Sequence, residues 1–289
     1  MTKQKWLKIT THEMIRNGTW CYKDETFYIC LENGIVGYDG DNFIFSNKFL
    51  EGSTKKRKAK NKLKFILGMD IKLDDFYSEI SDSKFSFLID EFYGLRSPAS
   101  PKPYQALIET IAQQQVNFEF AMKTIESLVM ISGDKVEETI KNKKIKLYKF
   151  PNEIKIAKIG EKIKDAKLGY RYKYILNLTE KILNGELNLK KVEKMSESDA
   201  IDYMTKFKGI GRWSAELFLN YAFRKNTYPA SDLGIRRGIS RIFNLRLKDV
   251  KDKDVREIID PFGKWKSLLA FYIVCYDRKV QNKKQQKTK

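Results

Sequence analysis

Asp232 stands between Ser231 and Leu233, shortly after Lys208-Gly209-Ile210-Gly211, and Arg236 and Arg237 follow it. A carboxylate can stabilise a developing cation or take a proton from attacking water. The glycine pair suits a different task. Glycine lets a backbone approach a ligand with no Cβ in the way. The unpaired amides that open the next helix sit at the positive end of its dipole, where a phosphate fits. Lys208 and Arg212 add charge, Ser214 offers a hydroxyl, and Ile210 is expected to plug the turn into the core. The pattern reads as a hairpin that grips a nucleic-acid backbone, with a carboxylate beside whatever is gripped. A plainer reading of Asp232 stays open: aspartate is a favoured helix N-cap, worth about 0.5–2 kcal/mol.

Three helices are needed to position these groups. Ser196 and Asp199 form a capping box that starts the first, whose apolar face carries Ala200, Ile201, Met204 and Phe207. The glycines break it. A second helix, from Ser214, turns Leu217, Phe218 and Tyr221 inward, and a third, opened by Asp232, aligns Ile235, Ile239, Ile242 and Phe243. Arg236 and Arg237 are placed either to meet phosphates or to pair with acidic residues.

The first third of the chain has another character. TWCY, TFYICL, GIVGY and NFIFS are short aromatic and β-branched runs, split by Asn33-Gly34 and Asp39-Gly40, pairs that tolerate positive φ. They predict an antiparallel meander over residues 18–48. KKRKAKNKLK, residues 55–64, has seven basic residues in ten and reads as a loop, either solvated or touching phosphates. LRSPASPKPY, residues 95–104, reads as a linker because its prolines disfavour regular structure. Helical spacing follows: Tyr104, Leu107, Ile108 and Ile111, then Phe118, Ala121, Ile125 and Leu128, then GYRYKYILNLTEKIL and RIFNLRL. The tail NKKQQKTK reads as frayed. The expected fold is α+β: an antiparallel β-rich domain over 1–98, then a mostly helical core over 99–289 with the helix–hairpin–helix at 196–224.

Bulk properties narrow the function. Fifty-six Lys and Arg against 37 Asp and Glu give a net charge of +19, which makes polyanions the expected partners. Three cysteines, Cys21, Cys30 and Cys275, cannot supply a four-cysteine zinc or iron–sulfur site, and a single histidine, His12, argues against histidine-based triads. The stretch MTKQKWLKIT has no apolar signal core, and no apolar run reaches the ~20 residues of a spanning helix. A reduced, intracellular, soluble protein is expected, cytoplasmic and nucleoid-associated or nuclear, without a membrane partner.

FKGIGRWSAE followed by YPASDLGIRRG resembles the helix-hairpin-helix (HhH-GPD) DNA glycosylases of base excision repair. The likeness is nearest to the alkylpurine (3-methyladenine DNA glycosylase II) branch, whose hairpin reads G-I-G-x-W-[ST]-A and whose catalytic stretch reads P-x-D-D-L-x-x-R. IETIAQQQVNF, AKLGYRYKYI and WKSLLAFYIV are similar to further segments of that branch. The resemblance implies that Asp232 is catalytic, with Ser231 in place of the family's first acidic residue. It implies a β domain ahead of the helices, consistent with the meander. Bifunctional members carry a lysine where this chain has Trp213, so a monofunctional N-glycosylase without strand cleavage is implied.

The resemblance also assigns roles. Gln115 takes the position that wedges into the duplex when a nucleotide is extruded, although an ordinary helix-surface glutamine is the plainer reading. Trp213 is placed to stack on a cationic base, or merely to fill the core. Leu217 and Val274 stand at two pocket positions that are aromatic in the family, which leaves oxidised or deaminated purines open beside alkylated ones. Gly209, Gly211, Lys208, Arg212 and Ser214 contact DNA in this reading. The carbonyls of Thr205, Phe207 and Ile210 match those that hold a structural Na+ or K+ in family hairpins. No cofactor is required and no iron–sulfur cluster is expected. The partner is double-stranded DNA containing a damaged base, and the protein acts as a monomer. Two alternatives remain: an oxoguanine glycosylase/lyase using another lysine, and a non-catalytic DNA-binding protein with the same hairpin.

Overall fold

The computed structural model describes residues 3–31, 34–47 and 53–287. It opens with helix α1 (Lys3–His12), which the sequence pattern did not announce, and continues into the meander β1 (Trp20–Lys23), β2 (Thr26–Leu31), β3 (Gly34–Tyr38) and β4 (Phe43–Phe45). The strands pair antiparallel in chain order, with Trp20 opposite Ile29, Ile29 opposite Val36 and Val36 opposite Phe45. The β1–β2 turn is made without glycine: Asp24 and Glu25 take φ of 48° and 58°. At the β3–β4 turn, Gly40 has φ 102° and Asp39 accepts from the amides of Asp41 and Asn42. Asn33, expected in the β2–β3 turn, lies outside the described residues.

The lysine-rich stretch corrects the loop reading. It lies in helix α2 (Ser53–Ile66). Ala59, Leu63 and Ile66 are buried at helical spacing and pack with Leu7, Phe27, Ile29 and Val36 of α1 and the sheet. Lysine is itself a good helix former, so the apolar stripe needs no other support.

After α2 come α3 (Leu73–Ile80), α4 (Phe87–Glu91), the proline-rich segment, α5 (Pro103–Ala112) and α6 (Phe118–Ser132). A hairpin of β5 (Lys135–Ile140) and β6 (Lys143–Tyr148) then interrupts the helical half. Its turn residues Lys141 and Asn142 take φ of 47° and 61°, the conformation of a two-residue hairpin turn. Its inward residues Val136, Ile140, Ile145 and Leu147 share a core with Tyr28, Cys30, Ile35 and Ile44 of the meander. Packing therefore crosses residue 98 in both directions. This hairpin belongs with the N-terminal sheet, and α3 and α4 pack with the C-terminal helices.

The remaining helices are α7 (Glu153–Ile159), α8 (Arg171–Leu183), α9 (Leu189–Lys194), α10 (Glu197–Met204), α11 (Arg212–Phe223), α12 (Leu233–Ile242), α13 (Asp252–Ile259) and α14 (Lys266–Lys287). Two corrections arise here. RIFNLRL is not a helix: α12 ends at Ile242, Asn244 turns left-handed at φ 52°, and the amide of Leu245 returns to the carbonyl of Ser240. The polar tail is helical to Lys287, in keeping with the helix propensity of lysine and glutamine.

Two helical cores flank the region of interest. One gathers α5, α6, α8, α10 and α11; the other gathers α3, α4 and α12–α14. Gly238 brings α12 against α14: a Cβ there would lie 2.3 Å from the Ile273 side chain. No described helix is long and apolar enough to cross a membrane.

Candidate active site

The hairpin between α10 and α11 forms as its residues require. Ser196 caps α10 by accepting from the amide of Asp199 at 3.1 Å. The amide of Ile210 closes the turn on the carbonyl of Phe207 at 3.0 Å, and the Ile210 side chain is buried in the helical core. Gly209 has φ 96°, and a Cβ there would meet the Tyr174 ring at 2.6 Å. Gly211 differs. It is extended at φ −88°, serves as N-cap of α11, and has open space where a Cβ would go. The first glycine is thus required by the fold, whereas nothing within the fold requires the second.

Sequence reasoning missed the brace behind this turn. Gln114 donates from Nε2 to the Gly209 carbonyl at 2.7 Å and to Ser214 Oγ at 2.9 Å. Ser214, read as a DNA contact, is 4% exposed, and its Oγ accepts that internal bond. Lys208 is exposed at the turn. Arg212 is exposed too, but its Nε donates to the buried Glu216 at 2.9 Å, which Arg256 also engages at 2.8 Å. Arg236 donates to the Val250 carbonyl and Arg237 pairs with the fully buried Asp277, so internal partners account for both.

Gln115 lies in the α5–α6 turn, not on a helix. It is exposed and held left-handed at φ 51°, a conformation that costs a non-glycine residue roughly 1–2 kcal/mol. Its neighbours impose it. The buried guanidinium of Arg171 donates through Nε and Nη2 to the Gln114 carbonyl, and the Tyr170 hydroxyl reaches Gln115 Oε1 at 3.3 Å. The side chain is therefore presented outward by a strained, clamped turn.

Asp232 caps α12 with one carboxylate oxygen and meets Trp213 with the other. Oδ1 accepts from the amides of Gly234 at 2.8 Å and Ile235 at 3.2 Å, capping α12. Oδ2 accepts from the indole Nε1–H of Trp213 at 3.0 Å. Trp213 thus holds the carboxylate as well as offering a ring face. Asp232, Trp213, Leu217 and Val274 all line one cavity of about 1950 Å³, which also reaches Gly209 and Gln115. Beside Trp213, its aromatic lining includes Trp20, Phe118, Tyr221 and Phe271. Arg278 lines it as well, paired with Glu13 at 2.8 Å and lying 4.3 Å from the Phe118 ring centroid. Burial works against ionisation of Glu13, but the hydrogen bond from His12 and the charge of Arg278 hold its carboxyl below the usual range.

Cys21, Cys30 and Cys275 form no disulfide among the described residues. Among the described residues, no cluster of histidine, cysteine, aspartate or glutamate has the makings of a metal site.

A glycine hairpin between two helices, with a carboxylate held in the wall of a cavity beside it, defines the class: a helix-hairpin-helix chain. The particular family follows. Residues 108–264 match the HhH-GPD superfamily base excision DNA repair proteins, and the chain belongs to that superfamily. It is 31% identical over 186 residues to the DNA-3-methyladenine glycosylase of Bacillus subtilis (strain 168), a match spanning 63% of this chain and 60% of the relative's length. The structure superposes on the 3-methyladenine DNA glycosylase from Archaeoglobus fulgidus with TM-score 0.79 and 29% identity, covering 94% of both chains. MBOgg1, solved with a low-affinity DNA ligand, has the same fold at TM-score 0.79 and 22% identity, over 95% of this chain and 92% of that one.

Proposed function

We propose that this protein is a monofunctional DNA glycosylase that extrudes an alkylated purine from duplex DNA and hydrolyses its N-glycosidic bond. One observation carries the reading: Asp232 is aimed by three N–H donors at a cavity bounded by the glycine hairpin and the clamped Gln115. A backbone phosphate rests on the amides after Gly211, with Lys208 and the free N–H groups of Arg212 adding charge. Gln115 fills the gap left in the base stack, since unstacking a nucleotide costs a few kcal/mol. The C1′–N bond breaks and its electron pair leaves with the base. The carboxylate of Asp232 stabilises the cationic sugar, a water oxygen bonds to C1′, and Asp232 takes the water's proton. An alkylated purine is already cationic, so it departs without a strong general acid, and Trp213 supplies a face for it to stack on. A structural Na+ or K+ would be held by the carbonyls of Thr205, Phe207 and Ile210; the Phe207 oxygen, which accepts from the Ile210 amide, keeps a second lone pair for it. Such an ion would bridge protein and phosphate and take no part in bond cleavage. The protein acts as a monomer on cellular DNA.

Release of free methylated purines from methylated duplex DNA tests this reading, and DNA binding without base release would favour the non-catalytic alternative. The glycosylase/lyase reading retains one foothold, since Lys8, Lys279 and Lys283 reach the cavity edge. Borohydride trapping decides it: no covalent adduct is expected.

A further inference from the structure

Glu109 is a deeply buried acid in the cavity wall, 2% exposed on α5, two turns before the clamped Gln115. Glutamate is almost never fully buried without a positive partner. Glu109 has none among the described residues. Oε1 accepts from Asn17 Nδ2 and Gln105 Nε2, both at 2.8 Å, and Oε2 accepts from Ser100 Oγ at 2.5 Å. Asn17 is itself fixed, because its Oδ1 accepts from both the amide and the hydroxyl of Thr19. A carboxylate has about four lone-pair sites. Three are occupied by donors from three separate segments, and one on Oε2 remains. Gln113, whose side chain returns to the Glu109 carbonyl, and Tyr221, whose hydroxyl reaches Gln113, complete a polar wall within the same cavity.

This arrangement is costly for the folded protein alone. Burial lifts the carboxyl from its ordinary value to about 7, against the pull of the Ser100, Gln105 and Asn17 hydrogen bonds. The charged and titratable groups near this wall are Tyr221 of α11, Arg278 of α14 and Asp232; Tyr221 is pushed up to about 12 and stays protonated. None of them pairs with Glu109. A ligand that brings positive charge and an N–H group would satisfy what the protein leaves open.

We propose that Glu109 selects the base: its free lone pair receives the exocyclic amino edge of an everted, cationic methyladenine and rejects bases that present a carbonyl oxygen there. This rests on the glycosylase reading and deepens it. A carbonyl facing a carboxylate oxygen sets two acceptors against each other, whereas an amino group donates.

The two products of one substrate test it. Methylated duplex DNA contains 3-methyladenine, with an amino group, and 7-methylguanine, with a carbonyl on the corresponding edge. Wild-type protein is expected to release 3-methyladenine in preference. Glu109→Gln is expected to lose about tenfold or more in 3-methyladenine release while 7-methylguanine release changes little, as for one charged hydrogen bond. Glu109→Asp, which withdraws the carboxylate by one methylene, is expected to shift the ratio the same way and serves if the glutamine variant does not fold. An unchanged ratio, including equal loss of both bases, would overturn the proposal and leave Glu109 a structural anchor. Preferential release of 7-methylguanine by the wild type would overturn it while leaving the glycosylase reading intact. Release of neither base would instead remove the reading on which it rests.

Discussion

Replacing Trp213 with phenylalanine separates what the indole does for the carboxylate from what its ring does for the core. The variant keeps an aromatic face in the cavity and removes the Nε1–H that reaches Asp232 Oδ2 at 3.0 Å. The other carboxylate oxygen still caps α12 through Gly234 and Ile235, so the helix should keep its start. A hydrogen bond to a charged group contributes about 1.5–3 kcal/mol. If it serves to aim the carboxylate at the sugar, its loss appears in the barrier as roughly a 10- to 150-fold slower step. The assay is single-turnover base release at saturating enzyme, beside thermal melting and affinity for a duplex with an abasic-site analogue. Slower release is expected, with melting temperature and affinity close to wild type. Release at the wild-type rate would refute the positioning role, and a matching loss of stability would show that the bond serves the fold instead.

The two hairpin glycines should respond differently. Gly209→Ala forces a Cβ to within 2.6 Å of the Tyr174 ring at φ 96°, so lower melting temperature and weaker binding to damaged and undamaged duplexes alike are expected. Gly211→Ala meets no protein atom, so stability should hold while duplex affinity falls; unchanged affinity would contradict close approach of a phosphate there. Gln114→Ala removes both bonds that brace the turn, at about 0.5–1.5 kcal/mol each, and should weaken duplex binding without changing which base is released. The raised Glu109 carboxyl sets a pH dependence. The folded state holds this proton more tightly than the unfolded chain, so its contribution is full below about pH 4.5 and is lost as pH climbs through about 7. The gap amounts to about 3 kcal/mol. Urea melts of wild type and Glu109→Gln over that window should show the wild type losing stability relative to the variant; parallel curves would contradict the burial argument.

The site was legible in the sequence where local chemistry determines local structure. The S-x-x-D box, the glycine pair and the aspartate before Leu233 are short-range signals, and each produced the expected element. The meander was legible for the same reason, through alternation and turn residues. What escaped depends on partners distant in the chain. Glu109 gains its character from Asn17, 92 residues earlier, and Gln114 braces Gly209, 95 residues later. The β5–β6 hairpin escaped because its lysines masked a period-two stripe of Val136, Ile140, Ile145 and Leu147 that only the distant meander completes. In α2 the charge run drew attention away from Ala59, Leu63 and Ile66, whose spacing was helical throughout. The cap reading of Asp232 holds and uses one oxygen; the other meets Trp213, a partner 19 residues earlier that the sequence did not announce.

Base release by Asp232→Asn tests the central claim most directly. Asparagine caps a helix about as well as aspartate, so α12 should remain anchored. Removing the charge should lower release of methylated purines by at least the ~10²–10⁴-fold that a positioned acid–base group contributes. Duplex affinity and melting temperature are expected to stay near wild type. Undiminished release by the variant, or a loss that follows unfolding, would contradict the assignment of Asp232 as the reacting acid.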